Sequence, residues 1–148
     1  MDNIIKTVAA ACGAIIAFFS GLPPVIWVLL LAMTIDYISG LLCAALGKSP
    51  KTDGGGLSSK AAFEGLVKKV LVLMLVALSA VVDYAIASSA GLVSFNAITG
   101  AVCLWFIASE GLSVIENAGT MGVNYPPKLK KALEVLRETG DNDEPPNT

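Results

Sequence analysis

Residues 47–60 read GKSPKTDGGGLSSK, a short polar stretch with three lysines set between two long apolar blocks. On its N-terminal side, residues 7–47 carry a single charged side chain, Asp36. On its C-terminal side, residues 70–109 carry only Asp83. The basic residues are sorted to match. Lys6 stands near the N-terminus; Lys48, Lys51, Lys60, Lys68 and Lys69 occupy the middle; Lys128, Lys130, Lys131 and Arg137 lie in the C-terminal segment. A chain dissolved in water has no reason to segregate charge in this way, whereas a chain threaded through lipid does. Of the 148 residues, 55% are hydrophobic and 15% charged, with a mean hydropathy of +0.72; soluble domains carry about 25% charged residues. The composition therefore indicates an integral membrane protein. It offers no basic surface for nucleic acid beyond what membrane orientation requires.

Each apolar block is about forty residues long. As one helix it would run about 60 Å, twice the roughly 30 Å of hydrocarbon, so each block must turn back on itself. The first turns at Ser20-Gly21-Leu22-Pro23-Pro24, where the prolines remove backbone donors and push the preceding residues out of helical geometry. The second turns around Ser88-Ser89-Ala90-Gly91. The pattern predicts an all-α membrane protein with four spanning helices in two hairpins, near 4–20, 24–46, 60–88 and 95–117. Segment 4–20 sits at the lower length limit, and either spans or lies in the interface. It is read as retained rather than cleaved, because the apolar run continues through Pro23-Pro24 without a small-x-small site.

The turns carry no Lys or Arg, while the N-terminus, the middle loop 47–59 with the start of the helix that follows it, and the C-terminus carry all ten. By the positive-inside rule both termini and the middle loop are cytoplasmic. Within that loop Gly54-Gly55-Gly56 reads as a flexible linker. It is no phosphate loop, because the G-x-x-x-x-G-K-[ST] pattern is absent. Ser58 or Ser59 is placed to cap the next helix. Residues 1–119 thus form the transmembrane domain, and 120–148 a cytoplasmic segment. There Pro126-Pro127 opens a short amphipathic helix with Leu129, Leu133 and Leu136 on one stripe. It suits either an anionic membrane surface or self-association. The acidic end, 141–148, has the composition of a disordered tail.

Four acids lie at or near membrane depth: Asp36, Asp83, Glu110 and Glu116. Charge in hydrocarbon is costly, so each should face protein or water, either locking helices together or lining a water path or assembly surface. Asp36 lies about 18 Å from the outer end of its helix and Asp83 about 8–10 Å from the outer end of its own, so they do not level up as a dyad. Lys68 and Lys69 enter from the cytoplasmic side near the level of Glu110 and of Asp36, and one of them is expected to pair with an acid, Glu110 being the first choice. Small residues at four-residue spacing (Gly13, Ala17 and Gly21; Gly40 and Ala44), together with Gly111, permit close helix approach. Cys12, Cys43 and Cys103 read as buried thiols, and the chain has no His. Neither a nucleophile–base pair nor a metal or cofactor pattern is present in the sequence, which points away from an enzyme.

Several ordered stretches together resemble one known family. They are Asp36-Tyr37-Ile38-Ser39-Gly40; Leu57-Ser58-Ser59-Lys60; Glu64-Gly65-Leu66-Val67-Lys68-Lys69; then Asp83. They continue with Ser109-Glu110-Gly111-Leu112-Ser113-Val114-Ile115-Glu116-Asn117-Ala118-Gly119 and Pro127-Lys128-Leu129-Lys130-Lys131-Ala132-Leu133. The series, covering about two-thirds of the chain, looks like the toxin-secretion/phage-lysis holins of Gram-positive phages and clostridial toxin-export loci. The resemblance implies a protein that gathers as a homo-oligomer in the lipid bilayer of the bacterial cytoplasmic membrane. There it would open lesions that release an endolysin or a toxin. Two other functions fit a small helical membrane protein: a proton-coupled multidrug-type exporter, and an anchor recruiting a partner through its C-terminal helix.

Overall fold

The computed structural model describes residues 5–7, 9, 10, 13, 23–52, 54–94 and 96–141. Their regular structure is helical: α1 (Pro24–Ala45), α2 (Ser59–Ala90), α3 (Ala97–Met121) and α4 (Pro127–Asp141). Among the described residues α1, α2 and α3 are long and apolar enough to cross a membrane. Three candidate spans are therefore described, against the four expected from sequence. Of segment 4–20, residues 5–7, 9, 10 and 13 are helical and the remainder lies outside the described residues, as do Ala17 and Gly21.

The helix ends follow local backbone chemistry. Pro24 occupies the first turn of α1, where a missing N–H costs nothing. At the far end Gly47 adopts φ +68°, its N–H donates to the Ala44 carbonyl, and the Lys48 N–H donates to the Cys43 carbonyl. That pair of bonds is a Schellman cap. Ser58 caps α2, its hydroxyl accepting from the Ala61 N–H at 3.3 Å. The sequence reading ended the next two helices at 88 and 117, where polarity rises. In the structure α2 continues to Ala90 and stops at Gly91 (φ +65°), and α3 continues to Met121 and stops at Gly122 (φ +92°). A left-handed glycine, rather than the fall in hydropathy, ends each helix.

The glycine run of the loop is also more constrained than a linker. The Ser49 N–H donates to the Gly55 carbonyl at 2.9 Å, the Gly55 N–H to the Thr52 carbonyl, and the Thr52 hydroxyl to the Gly56 carbonyl. Gly55 has φ +76°, and a Cβ there would stand 2.2 Å from the backbone oxygen of Gly47. Gly55→Ala is therefore expected to destabilise the protein by about 2 kcal/mol, the scale of a non-glycine residue held in a disfavoured backbone region. It should also open the loop to proteolysis. Thermal unfolding in detergent and limited digestion check both effects.

Helix α3 is the central element: α1, α2 and α4 all pack on it, while α1 and α2 touch each other sparsely. The core joins Ile26, Leu29 and Met33 of α1 with Val76 of α2 and Cys103 of α3; Val72, Val102, Phe106 and Ile107 pack around them. Helix α2 presents one inward stripe, Lys69, Val72, Val76, Ser79, Asp83 and Ala87, at spacings of three and four. Outward side chains such as Trp27, Leu31, Leu71 and Met74 are exposed in the isolated chain, as lipid-facing positions would be. Because lipid is as apolar as leucine, close packing and polar contacts, rather than hydrophobic burial, must hold such helices together. Glycine provides some of that closeness. A Cβ on Gly111 would meet Leu133 of α4 at 3.0 Å, and one on Gly119 would meet the Tyr125 ring at 3.3 Å. On α4, Leu133 is thus half-buried against α3, while Leu129 and Leu136 stay exposed.

Candidate functional site

One charged residue from each of α1, α2 and α3 meets at a single point. Lys69 Nζ lies 2.8 Å from Asp36 Oδ2 and 2.5 Å from Glu110 Oε2, and the three side chains are only 13%, 12% and 13% exposed. The stripe on α2 explains why Lys69 rather than Lys68 takes this position. Lys69 continues the inward series of Val72 and Val76, whereas Lys68 is rotated about 100° away and exposed. Both bonds to Lys69 are charge-assisted. Since α1 and α2 otherwise touch little, the ammonium group is the principal tie between them.

The polar cluster extends along the α1–α3 seam. Asn117 Nδ2 donates to Ser39 Oγ at 2.9 Å, and Ser39 Oγ donates to the Asp36 backbone carbonyl at 2.9 Å. Gly40 leaves room for the Asn117 amide, which a Cβ there would meet at 3.8 Å. Asp36 Oδ1 is buried without a hydrogen-bond partner among the described residues; the Ser113 hydroxyl lies near the carboxylate without completing a bond to that oxygen. Between α1 and α2, beneath loop 46–58, a cleft of about 190 Å³ reaches the triad. Tyr37, Ser49, Lys51, Gly65 and Lys68 line its walls and mouth. That volume admits several water molecules. On the other side of the triad, Leu29, Met33, Val76 and Cys103 form a dry layer.

Beyond that layer lies a second polar site. Asp83, 1% exposed, accepts from the Ile98 N–H at 3.1 Å through Oδ1 and from the Thr99 N–H at 2.7 Å through Oδ2. These are the second and third residues of α3, whose own N-cap, Asn96, makes no side-chain cap bond. Asp83 thus performs from α2 the capping that the helix lacks at its own start, and its charge complements the α3 dipole. Thr99 also approaches Ser79 Oγ, at 3.5 Å. From Lys69 to Asp83, fourteen residues along α2, the two sites stand about 21 Å apart.

The structure brings together three of the acids and lysines singled out from sequence, namely Asp36, Lys69 and Glu110. It places Asp83 apart at the cap, and leaves Lys68 and Glu116 exposed. Gly40, Ala44 and Gly111 sit at helix contacts, whereas a Cβ on Gly13 would meet nothing within 4 Å. Ser79 and Thr99 went unremarked in the sequence, and Ser39 and Asn117 stood there only within the stretches that carry the family resemblance. Ser39, Ser79 and Asn117 lie three, four and seven residues from an acid of the same helix, and that spacing was the available signal; Thr99 stands eleven residues, about three turns, from Glu110. Among the described residues no group of three His, Cys, Asp or Glu side chains converges as a metal site requires.

Fold and site together define a small helical membrane protein whose spanning helices are joined by a buried ion triad. Comparison with known proteins makes this class specific: the model of the bacteriophage holin family matches residues 13–138, and the chain belongs to that family. A probable holin of Bacillus phage phi105 is 33% identical over 110 residues, 74% of this chain and 70% of that protein. Uncharacterized proteins of Listeria innocua (31% over 146 residues, 97% of this chain and 95% of the relative) and Halalkalibacterium halodurans (29% over 138 residues, 93% and 96%) are similar over nearly their whole length. No solved structure matches the chain.

Proposed function

We propose that this protein is a phage holin that oligomerises in the cytoplasmic membrane of a bacterial host and opens lesions through which an endolysin, or in an export setting a toxin, reaches the cell wall. Family membership supports the general role. The observation that carries the mechanism is the triad. In the single chain it is buried among α1, α2 and α3, and the apolar layer around Leu29 and Val76 separates it from the opposite end. Among the described residues a single copy therefore offers no continuous polar path. Assembly of several copies, with the faces bearing Asp36 and Glu110 turned toward water, would create one. The lysines of loop 46–58 and of α4 favour a cytoplasmic location for that end of the bundle. The exposed Leu129 and Leu136, beside Lys128, Lys130 and Lys131, suit an anionic leaflet or a neighbouring copy.

Induced expression in a bacterium tests the reading. Respiration should stop abruptly, and a co-expressed cytoplasmic cell-wall hydrolase should then lyse the culture. Resistance to a toxic solute with the membrane intact would instead identify an exporter. An intact membrane with no such resistance would leave the anchoring role.

A further inference from the structure

We propose that the Asp36–Lys69–Glu110 triad is a binding site for one exchangeable proton, reached from the loop 46–58 side through the cleft between α1 and α2. Charge counting is the first argument. With every group ionised, two carboxylates and one ammonium leave a net charge of −1 among three membrane helices, and a lone charge there is costly. The other groups facing the triad do not cancel it. From α1 there is the neutral Tyr37; from α2 and the loop, Lys68 and Lys51 stand exposed at the cleft mouth. From α4, Lys130 pairs with Glu134 instead. Asp83 is about 21 Å away along α2.

Geometry supplies the second argument. Asp36 and Glu110 each place an oxygen against the same Lys69 ammonium, at 2.8 and 2.5 Å, so the two carboxylates stand side by side. Two carboxylates so placed cannot both ionise freely. A proton on either carboxyl group removes the net charge, and on Asp36 it would serve Oδ1, a buried oxygen without a hydrogen-bond partner among the described residues. A metal cation would have to sit against the Lys69 ammonium, so a proton is the cation that fits.

Access is the third. Water in the cleft donates the proton, forming an O–H bond on the carboxyl group and leaving hydroxide; the reverse step releases it. The dry layer of Leu29, Met33, Val76 and Cys103 closes the other side. The inference concerns the single chain and holds whether or not the protein forms lesions.

Infrared difference spectroscopy of the full chain in phospholipid vesicles is the test. At neutral pH the wild type should show the carbonyl stretch of one protonated carboxyl group per chain, shifting on transfer to D₂O and disappearing as pH rises. Glu110→Gln and Asp36→Asn should each abolish the band. Glu64→Gln, at the exposed start of α2, should leave it unchanged. Lys69→Met removes the only positive charge in the cluster and should double the band. A wild-type spectrum without a protonated carboxyl at neutral pH overturns the proposal, and needs no variant to fold. So does a band that survives both amide substitutions.

Discussion

Lys69→Glu leaves three carboxylates and no cation where α1, α2 and α3 meet, and little folded protein should accumulate in the membrane. Removing one partner from a buried ion pair costs about 3–5 kcal/mol, and here one ammonium serves two acids. That scale corresponds to a loss of more than about a hundredfold in the folded-to-unfolded ratio. Adding Glu110→Lys to the same chain restores two carboxylates and one ammonium in contact, and should recover stability to within about 1 kcal/mol of the original. Lys68→Glu, one residue away but exposed, should change stability by less than about 0.5 kcal/mol. Denaturant titration in detergent gives all three values, and onset of lysis on induction gives the functional counterpart. Failure of the double substitution to rescue would show that the triad is not what couples the helices.

Asp83→Ala should have the next largest effect. It strips two acceptors from the Ile98 and Thr99 N–H groups, at a helix end where no side chain of α3 takes over. Two unsatisfied backbone donors near the membrane, together with loss of the charge–dipole attraction, should cost about 3 kcal/mol. Asp83→Asn keeps one acceptor oxygen and should cost about half as much. Faster amide hydrogen exchange confined to the first turn of α3 would locate the damage. Unchanged exchange at Ile98 and Thr99 in the alanine variant would count against the cap.

The two acids illustrate what a single sequence reveals. Helix depth could be counted from the turns, so a lysine from α2 at the level of Glu110 and Asp36 was legible, and in the structure one lysine meets both acids at once. The choice of Lys69 over Lys68 was present in the spacing 69, 72, 76, 79, 83, 87, but only once that face was known to be the inner one. The role of Asp83 was not legible, because its partners are backbone amides of the next helix. Finding them requires knowing that α2 runs two turns past the level at which α3 begins. The loop glycines give the opposite lesson. Gly54-Gly55-Gly56 reads as slack because composition carries no backbone angles, whereas three interlocking bonds and the close approach of Gly55 to Gly47 make it a fixed turn.

The sparse contact between α1 and α2 gives the two polar sites unequal parts. At the end bearing residues 91–96, Asp83 fastens α2 to the backbone of α3, and the short connection keeps them together even if that bond fails. At the other end, the Lys69 ammonium is the polar tie of α2 to both neighbours, beside the cleft and one turn beyond Val72. The arrangement is that of a hinge and a latch. Undoing the triad frees the longest helix at one end only, so that α2 would swing as an arm about Asp83 instead of leaving the bundle.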